Sequence, residues 1–330
     1  MKRWRLWLSL LVSALFLGIA LQGMAWERLA ESVRNAELVW LVPALLTYFV
    51  TVGLRAWRWG ALLRPLKPVA TGSLFPVMVI GYLGNNIYPF RIGEVVRAYL
   101  LRRREGIPIS ASLATILVER VFDGVAVLAF VFFALPLAPV GGENLQLLLA
   151  VATIAFAGAL VFFLVTAARP RLALRLLATA TRILPPGGRR RIVGLGERFL
   201  EGLASLRTGH ALVKLFLSSM VIWLFETAKF WLVMQAFPFS LNWFALMLLN
   251  GVITLVTVLP SAPGFIGTFD LPGIAVLVLY GIPETLAGAY ILTLHLVLWL
   301  PSVLVGFVYM IREGWHWSDF SRVEGAQSSE

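Results

Sequence analysis

Apolar stretches of about the length that crosses a bilayer recur along most of this chain, and they limit what it can fold into before any single residue is weighed. They lie near residues 6–25, 38–57, 121–139, 145–168, 211–236, 241–259, 264–282 and 286–310, each close to the roughly 20 residues a helix needs to span hydrocarbon. Backbone in lipid must satisfy its own hydrogen bonds, and stretches this long do so as helices. The composition agrees: 59% of residues are hydrophobic and 14% charged, with mean hydropathy +0.85, against about 25% charged in a domain that faces water. The expected fold is an all-α membrane protein with about eight transmembrane helices, forming one integral membrane domain over residues 1–330. Two further apolar pieces, 73–90 and 107–119, are short or interrupted by Gly, Asn and Pro, and read as re-entrant or broken helices.

The chain opens on Met1-Lys-Arg-Trp-Arg5 and then runs apolar from Leu6 to Met24. That length favours a retained first helix over a cleaved signal peptide. Basic segments at Met1–Arg5, Arg55–Lys67, Arg91–Arg104 and Arg169–Arg207 alternate with acidic or uncharged connections. Because short loops rich in Lys and Arg stay inside, both termini are expected in the cytoplasm, in a bacterial or archaeal inner membrane. A basic cytoplasmic loop, 169–210, divides the chain into halves of roughly 38–168 and 211–310. Within it Ile192, Leu195, Phe199, Leu203 and Leu206 recur at helical spacing, which suits either a helix lying on the inner leaflet or an ordinary connector. The net charge of +11 then speaks for anionic lipid headgroups rather than nucleic acid. There is no cysteine, and His210, His295 and His316 are scattered without metal-ligand spacing. No metal or other cofactor is expected.

Ionisable groups inside apolar segments carry the functional information in such a chain. The first constellation is Asn85-Asn86-Ile-Tyr-Pro89-Phe-Arg91-Ile-Gly93-Glu94-Val-Val-Arg97. Pro89 and Gly93 break a helix and free backbone groups, Asn86, Arg91 and Arg97 offer amide and guanidinium recognition, and Glu94 and Arg97 are spaced to pair on one helix face. The second is Glu119-Arg120 with Asp123, whose two carboxylates lie four apart on one face. They form either a proton site or the counter-charges of the first constellation. The third is Leu259-Pro260-Ser-Ala-Pro263-Gly264-Phe-Ile-Gly267-Thr-Phe-Asp270, which reads as a second broken helix or as a plain turn. A Pro/Gly break near an acidic group thus occurs once in each half, the sequence pointer to a transporter site between inverted repeats. Glu226 and Lys229 read as a structural pair, and Trp4, Trp7, Trp40, Trp57, Trp59, Trp243 and Trp315 as interfacial anchors.

Arg55-Ala-Trp-Arg58-Trp, Asn86 with Pro89-Phe-Arg91-Ile-Gly93-Glu94-Val-Val-Arg97, Glu119-Arg120 with Asp123, and Pro260 with Pro263-Gly264-Phe-Ile-Gly267 occur in this order. Together they resemble the flippase-like family that contains the transmembrane region of lysylphosphatidylglycerol synthases. The resemblance covers roughly residues 40–310 and implies movement of lipids or lipid-linked molecules between leaflets. It does not imply lysine transfer, which in the synthases belongs to a separate soluble domain. That family often places Glu after its PGxxG element, where this chain has Asp270.

The resulting expectation is a non-enzymatic flippase for an anionic lipid or lipid-linked substrate, working by alternating access. Asn86, Arg91, Glu94, Arg97, Arg120, Pro263, Gly264 and Gly267 are the candidate substrate-binding residues. Glu94, Glu119, Asp123 and Asp270 are candidates for proton coupling, since no GxxxxGK[ST] motif supplies ATP hydrolysis. Two alternatives stand beside it: a membrane enzyme acting on a lipid or polyprenyl phosphate with Glu119 or Asp123 as base, and a non-transporting scaffold. Anionic membrane lipids are the expected partners, and a homo-oligomer is left open.

Overall fold

Apolar backbone that cannot bond to water bonds to itself, and the helices follow the apolar stretches. The computed structural model describes residues 26–88, 92–138, 154, 158, 170–183, 193–194, 197, 209–258 and 263–315, and every regular element among them is helical. In chain order these are α1 (Trp26–Arg34), α2 (Leu41–Leu63), α3 (Thr71–Ile87), α4 (Gly93–Glu105), α5 (Ile109–Leu137) and α6 (Pro170–Ala180). Then come α7 (Gly209–Met234), α8 (Trp243–Val256), a short 3-10 turn (Pro263–Phe265), α9 (Asp270–Leu279) and α10 (Glu284–Arg312). Leu38–Leu63, His210–Met234 and Glu284–Arg312 are long and apolar enough to cross a membrane.

The element ends have local causes. α4 stops where Gly106 turns left-handed at φ 72° and returns its N–H to the Arg102 carbonyl, with Arg102, Arg103 and Arg104 set against the negative end of the helix dipole. Asn242 caps α8 by accepting the Ala245 N–H at 2.8 Å. One expectation is corrected. The pieces 107–119 and 121–139 form one continuous helix, α5, because Ile109–Asp123 holds neither Pro nor Gly and its charges find partners. The piece 73–90 lies mostly in α3, which passes through Pro76 and ends at Ile87, before the next helix begins at Gly93. The stretches 6–25 and 145–168 and the surface helix expected at 192–206 lie almost wholly outside the described residues, as do Arg91 and Pro260.

Helices α3 and α4 form a hairpin whose two open ends meet at one end of the molecule, where Arg104 of α4 donates to the Ser73 carbonyl of α3 at 2.9 Å. At 1.5 Å per residue α3 runs about 24 Å from this end and α4 returns about 18 Å toward it. The same end holds Lys67, paired to Glu105 at 2.8 Å, and Glu313, paired to Arg104. α8 and α9 form a second hairpin that opens toward the other end. There Tyr280, just past α9, donates to the Ala138 carbonyl at 2.8 Å, and the Glu37 N–H reaches the Ala236 carbonyl at 3.0 Å. The two tips meet: a Cβ placed on Gly264 would lie 3.7 Å from the Asn86 carbonyl oxygen.

Small residues set these crossings, since helices in lipid gain from close backbone approach. Gly81 of α3 lies against Gly93 of α4 so tightly that a methyl group on Gly93 would overlap the Gly81 carbonyl. Gly306 lets α10 approach Leu83 and Val79 of α3 in the same way. Apolar side chains point outward as well as inward. Val42, Leu46 and Val50 on α2, Val213, Leu217 and Val221 on α7, and Leu296, Leu300 and Leu304 on α10 are all exposed at four-residue spacing, as a lipid-facing stripe requires.

Two large apolar cores and a small cluster of Leu62, Val118, Phe122 and Leu215 fill the interior among the described residues. One gathers α8, α9 and the start of α10 around Leu248, Leu277 and Tyr290, and the other gathers α2, α3 and α4 around Trp59, Ile80 and Leu101. On α5 the second core claims Ile116 and the first claims Ala126 onward. Glu119 and Asp123 fall between them.

Candidate functional site

Four helices place charges at this boundary. Arg55 and Arg58 lie three apart on α2, so both face the same way. Arg58 donates to Asp123 Oδ1 at 2.6 Å and Oδ2 at 3.2 Å, donates to Ser219 Oγ at 2.6 Å, and lies 3.7 Å from Glu119. Arg55 donates to Asp123 at 3.0 Å and to Glu226 at 3.2 Å, and Glu226 also holds Lys229 at 2.5 Å. Arg97 of α4 donates to Glu119 at 2.7 Å and spreads its guanidinium over the Trp59 ring, 4.1 Å from the centroid. Arg120 reaches Glu94 at 3.3 Å.

Arg58, Arg97, Glu119, Asp123 and Lys229 are each no more than 3% exposed. Taking such ions out of water is expensive even when they are paired, so a network of this kind marks function more readily than stability. Five cations (Arg55, Arg58, Arg97, Arg120, Lys229) face four carboxylates (Glu94, Glu119, Asp123, Glu226). The described network therefore carries one excess positive charge. Arg97 Nε and Nη1 and Arg58 Nε are buried without a hydrogen-bond acceptor among the described residues.

The second centre lies where the hairpin tips meet. Positions 295, 299, 302 and 306 of α10 share one face by their spacing. His295 contacts Asp270 Oδ1 through Nδ1 and the Gly264 carbonyl through Nε2, both at 2.7 Å. Asp270 Oδ2 accepts the Gly267 N–H at 2.8 Å. Trp299 packs on Gly264, and Ser302 accepts from Asn86 of α3. The turn that is clasped here is strained: Gly264, Phe265 and Gly267 sit at φ 72°, 61° and 82°. A left-handed conformation is ordinary for Gly but costs about 1–3 kcal/mol for a residue such as Phe265. Among the described residues no three His, Asp or Glu side chains are grouped to hold a metal ion.

The sequence matches the family described as lysylphosphatidylglycerol synthase TM region over residues 6–306. The chain belongs to that family. It is similar to several archaeal proteins. A UPF0104 membrane protein of Methanothermobacter thermautotrophicus is 26% identical over 298 residues, covering 85% of this chain and 86% of that one. Another, from Methanocaldococcus jannaschii, is 23% identical over 315 residues, 92% and 93% of the two chains. Glycosyltransferase AglD of Haloferax volcanii is 31% identical over 116 residues, 35% of this chain and 19% of AglD.

In this family member the structure gathers Glu94, Arg97, Glu119, Arg120 and Asp123 into one network, and Asn86, Gly264, Gly267 and Asp270 into a separate cluster at the hairpin tips. Pro263 opens the clasped turn, and Arg91 lies outside the described residues. Glu94 and Arg97 do not pair with each other as their spacing suggested: each turns instead to α5, Glu94 to Arg120 and Arg97 to Glu119. Arg55 and Arg58, read as loop charges, are interior helix residues, because α2 continues to Leu63. Trp59 is no interfacial anchor: it is fully buried and donates to Thr115 at 3.0 Å. Trp315, 2% exposed, is no anchor either, whereas Trp57 is 42% exposed with Lys214 over its ring.

Sequence reasoning gave no site role to Arg55, Arg58, Glu226, Ser219 or His295. His295 was passed over because its spacing fits no metal motif, yet an ionisable side chain in the middle of the apolar stretch 286–310 was itself the signal.

Proposed function

We propose that the chain moves an anionic lipid or lipid-linked molecule between leaflets, with the arginine network as the headgroup site. The observation that carries this is the excess positive charge of the network together with the unpartnered Arg97 and Arg58 N–H groups. An anion with several acceptor oxygens, such as a phosphate, satisfies both deficits, and guanidinium forks suit it better than ammonium groups. On this reading the two hairpins are re-entrant elements entering from opposite leaflets, and their touching tips form the barrier that alternating access opens on one side and then the other. The basic end, with Arg64, Lys67 and Arg102–Arg104 exposed, faces the cytoplasm. The lipid tails stay outside, along the exposed apolar stripes.

A second reading, group transfer onto a lipid phosphate, draws support from the partial match to a glycosyltransferase, although that match covers only 19% of the relative. The two readings separate in liposomes holding the pure protein and fluorescent lipids, followed with an impermeant quencher. Transport predicts exchange of chemically unchanged lipid that is lost in Arg91→Ala and reduced at least about tenfold in Arg97→Lys, which keeps the charge facing Glu119 but loses the guanidinium fork. A product of altered mass, formed only with a donor substrate, would favour the enzyme.

A further inference from the structure

His295 has both ring nitrogens at 2.7 Å from oxygens. One oxygen is the Gly264 carbonyl, which only accepts, so Nε2 carries a proton. The other is Asp270 Oδ1, and a contact this short holds one proton between Nδ1 and the carboxylate. Asp270 Oδ2 is already accepting from the Gly267 N–H. The pair therefore holds one proton more than a carboxylate and a neutral imidazole together, whether that proton sits on Nδ1 or on Asp270. Removing it leaves a single N–H for two acceptors. The carboxylate, being charged, keeps that N–H, and the contact that opens is Nε2 to Gly264.

We infer that Asp270 and His295 form a proton-binding site that latches the strained Pro263–Phe265 turn to α10. Loading one proton closes the latch on the Gly264 carbonyl, and releasing it to solution frees the turn. The strain at Phe265 favours opening once that bond is gone. This names the coupling ion of the proposed transport cycle and rests on that reading only for its use in transport, since proton binding itself follows from the geometry.

The surroundings leave the titration to this pair. Of the elements packed on α10, α9 brings Asp270, and α3 and the clasped turn bring no charged side chain. α2 brings Arg55 and Arg58, and α7 brings Glu226 and Lys229, all engaged in the other network, while His210 and Lys214 lie exposed at the start of α7. The charges of α1 (Glu27, Arg28, Glu31, Arg34) are exposed, and Glu284 and Arg312 sit at the ends of α10. Phe269 stacks on the imidazole at 4.6 Å and shields it.

Asp270→Asn is the informative variant. Its amide donates to Nδ1 while its oxygen accepts from Gly267, so Nε2–H stays on Gly264 and all three bonds survive without a shared proton to lose. The experiment is nitrogen NMR of histidine-labelled protein in lipid nanodiscs, with His295→Gln used to assign the signal, together with hydrogen exchange of residues 263–269 corrected for its intrinsic pH dependence. In the native chain, Nε2 of His295 is expected to lose its proton as the pH is raised, and exchange in the turn to quicken by at least about tenfold as it does. In Asp270→Asn, Nε2 stays protonated and the turn stays protected throughout. A native Nε2 whose state never changes, or a turn that loosens equally in Asp270→Asn, overturns the latch. Neither readout needs lipid movement. If Nε2 titrates and no lipid exchanges in liposomes, the transport reading falls and the proton site stands.

Discussion

Arg58 shows how much of the molecule rests on single side chains. It holds both oxygens of Asp123, the Ser219 hydroxyl, and the approach to Glu119, at 1% exposure. Replacing it by Ala leaves carboxylates buried with fewer counter-charges, and thermal unfolding in detergent should show a loss of about 3–5 kcal/mol. Changing Arg58 and Asp123 together to apolar residues of similar volume should recover much of that stability, since the desolvation penalty vanishes with the charges, but lipid exchange should stay lost. Recovery of exchange with stability would reduce the network to scaffolding. The residue types were legible in the sequence, and their partners were not. Spacing along one helix suggested Glu94 with Arg97, whereas interhelical geometry chose Arg120 and Glu119. Arg58 was hidden because the apolar stretch was ended at 57, before Leu62 and Leu63 carried the helix further, and Arg55 because it was grouped with the basic segment 55–67.

The helices explain why the hairpin tips can meet. α4 approaches α3 at Gly93 and Gly81, and Asn85 bridges the break by accepting the Gly93 N–H at 2.8 Å. Gly93→Ala overlaps the Gly81 carbonyl and should destabilise by about 1–3 kcal/mol or more. Gly53→Ala on α2, which meets nothing within 4 Å, should be neutral or stabilising by up to about 1 kcal/mol. Equal losses in the two variants, measured by the same unfolding assay, would contradict the close crossing. The end of α3 and the start of α4, and the clasped turn before α9, were visible in the sequence as Pro and Gly clusters. The continuity of α5 was not, because a Glu-Arg pair inside an apolar run reads as an end until its interhelical partners are known.

At the scale of the whole molecule, the open ends of the two hairpins lie at opposite ends, one near Ser73 and Arg104 and the other near Ala138 and Ala236. The chain has no cysteine, so single cysteines report this directly. Arg103→Cys should react with an impermeant maleimide only from the cytoplasmic side, and Ser240→Cys and Glu284→Cys only from the other. Labelling of all three from one side would undo the opposed arrangement. The all-helical membrane class and the family were plain from apolar length and four ordered motifs, but the opposed hairpins were only an expectation from two breaks. What a residue faces across the molecule is set by packing, which periodicity does not record. The most direct measurement for the central claim is leaflet exchange by the pure native chain in liposomes, comparing anionic with zwitterionic phospholipid probes of matched acyl chains. Faster exchange of the anionic probe than of the zwitterionic one, above empty liposomes, is the expected result. Exchange of both at the rate of empty liposomes, or at equal rates, would contradict a headgroup site built from arginines.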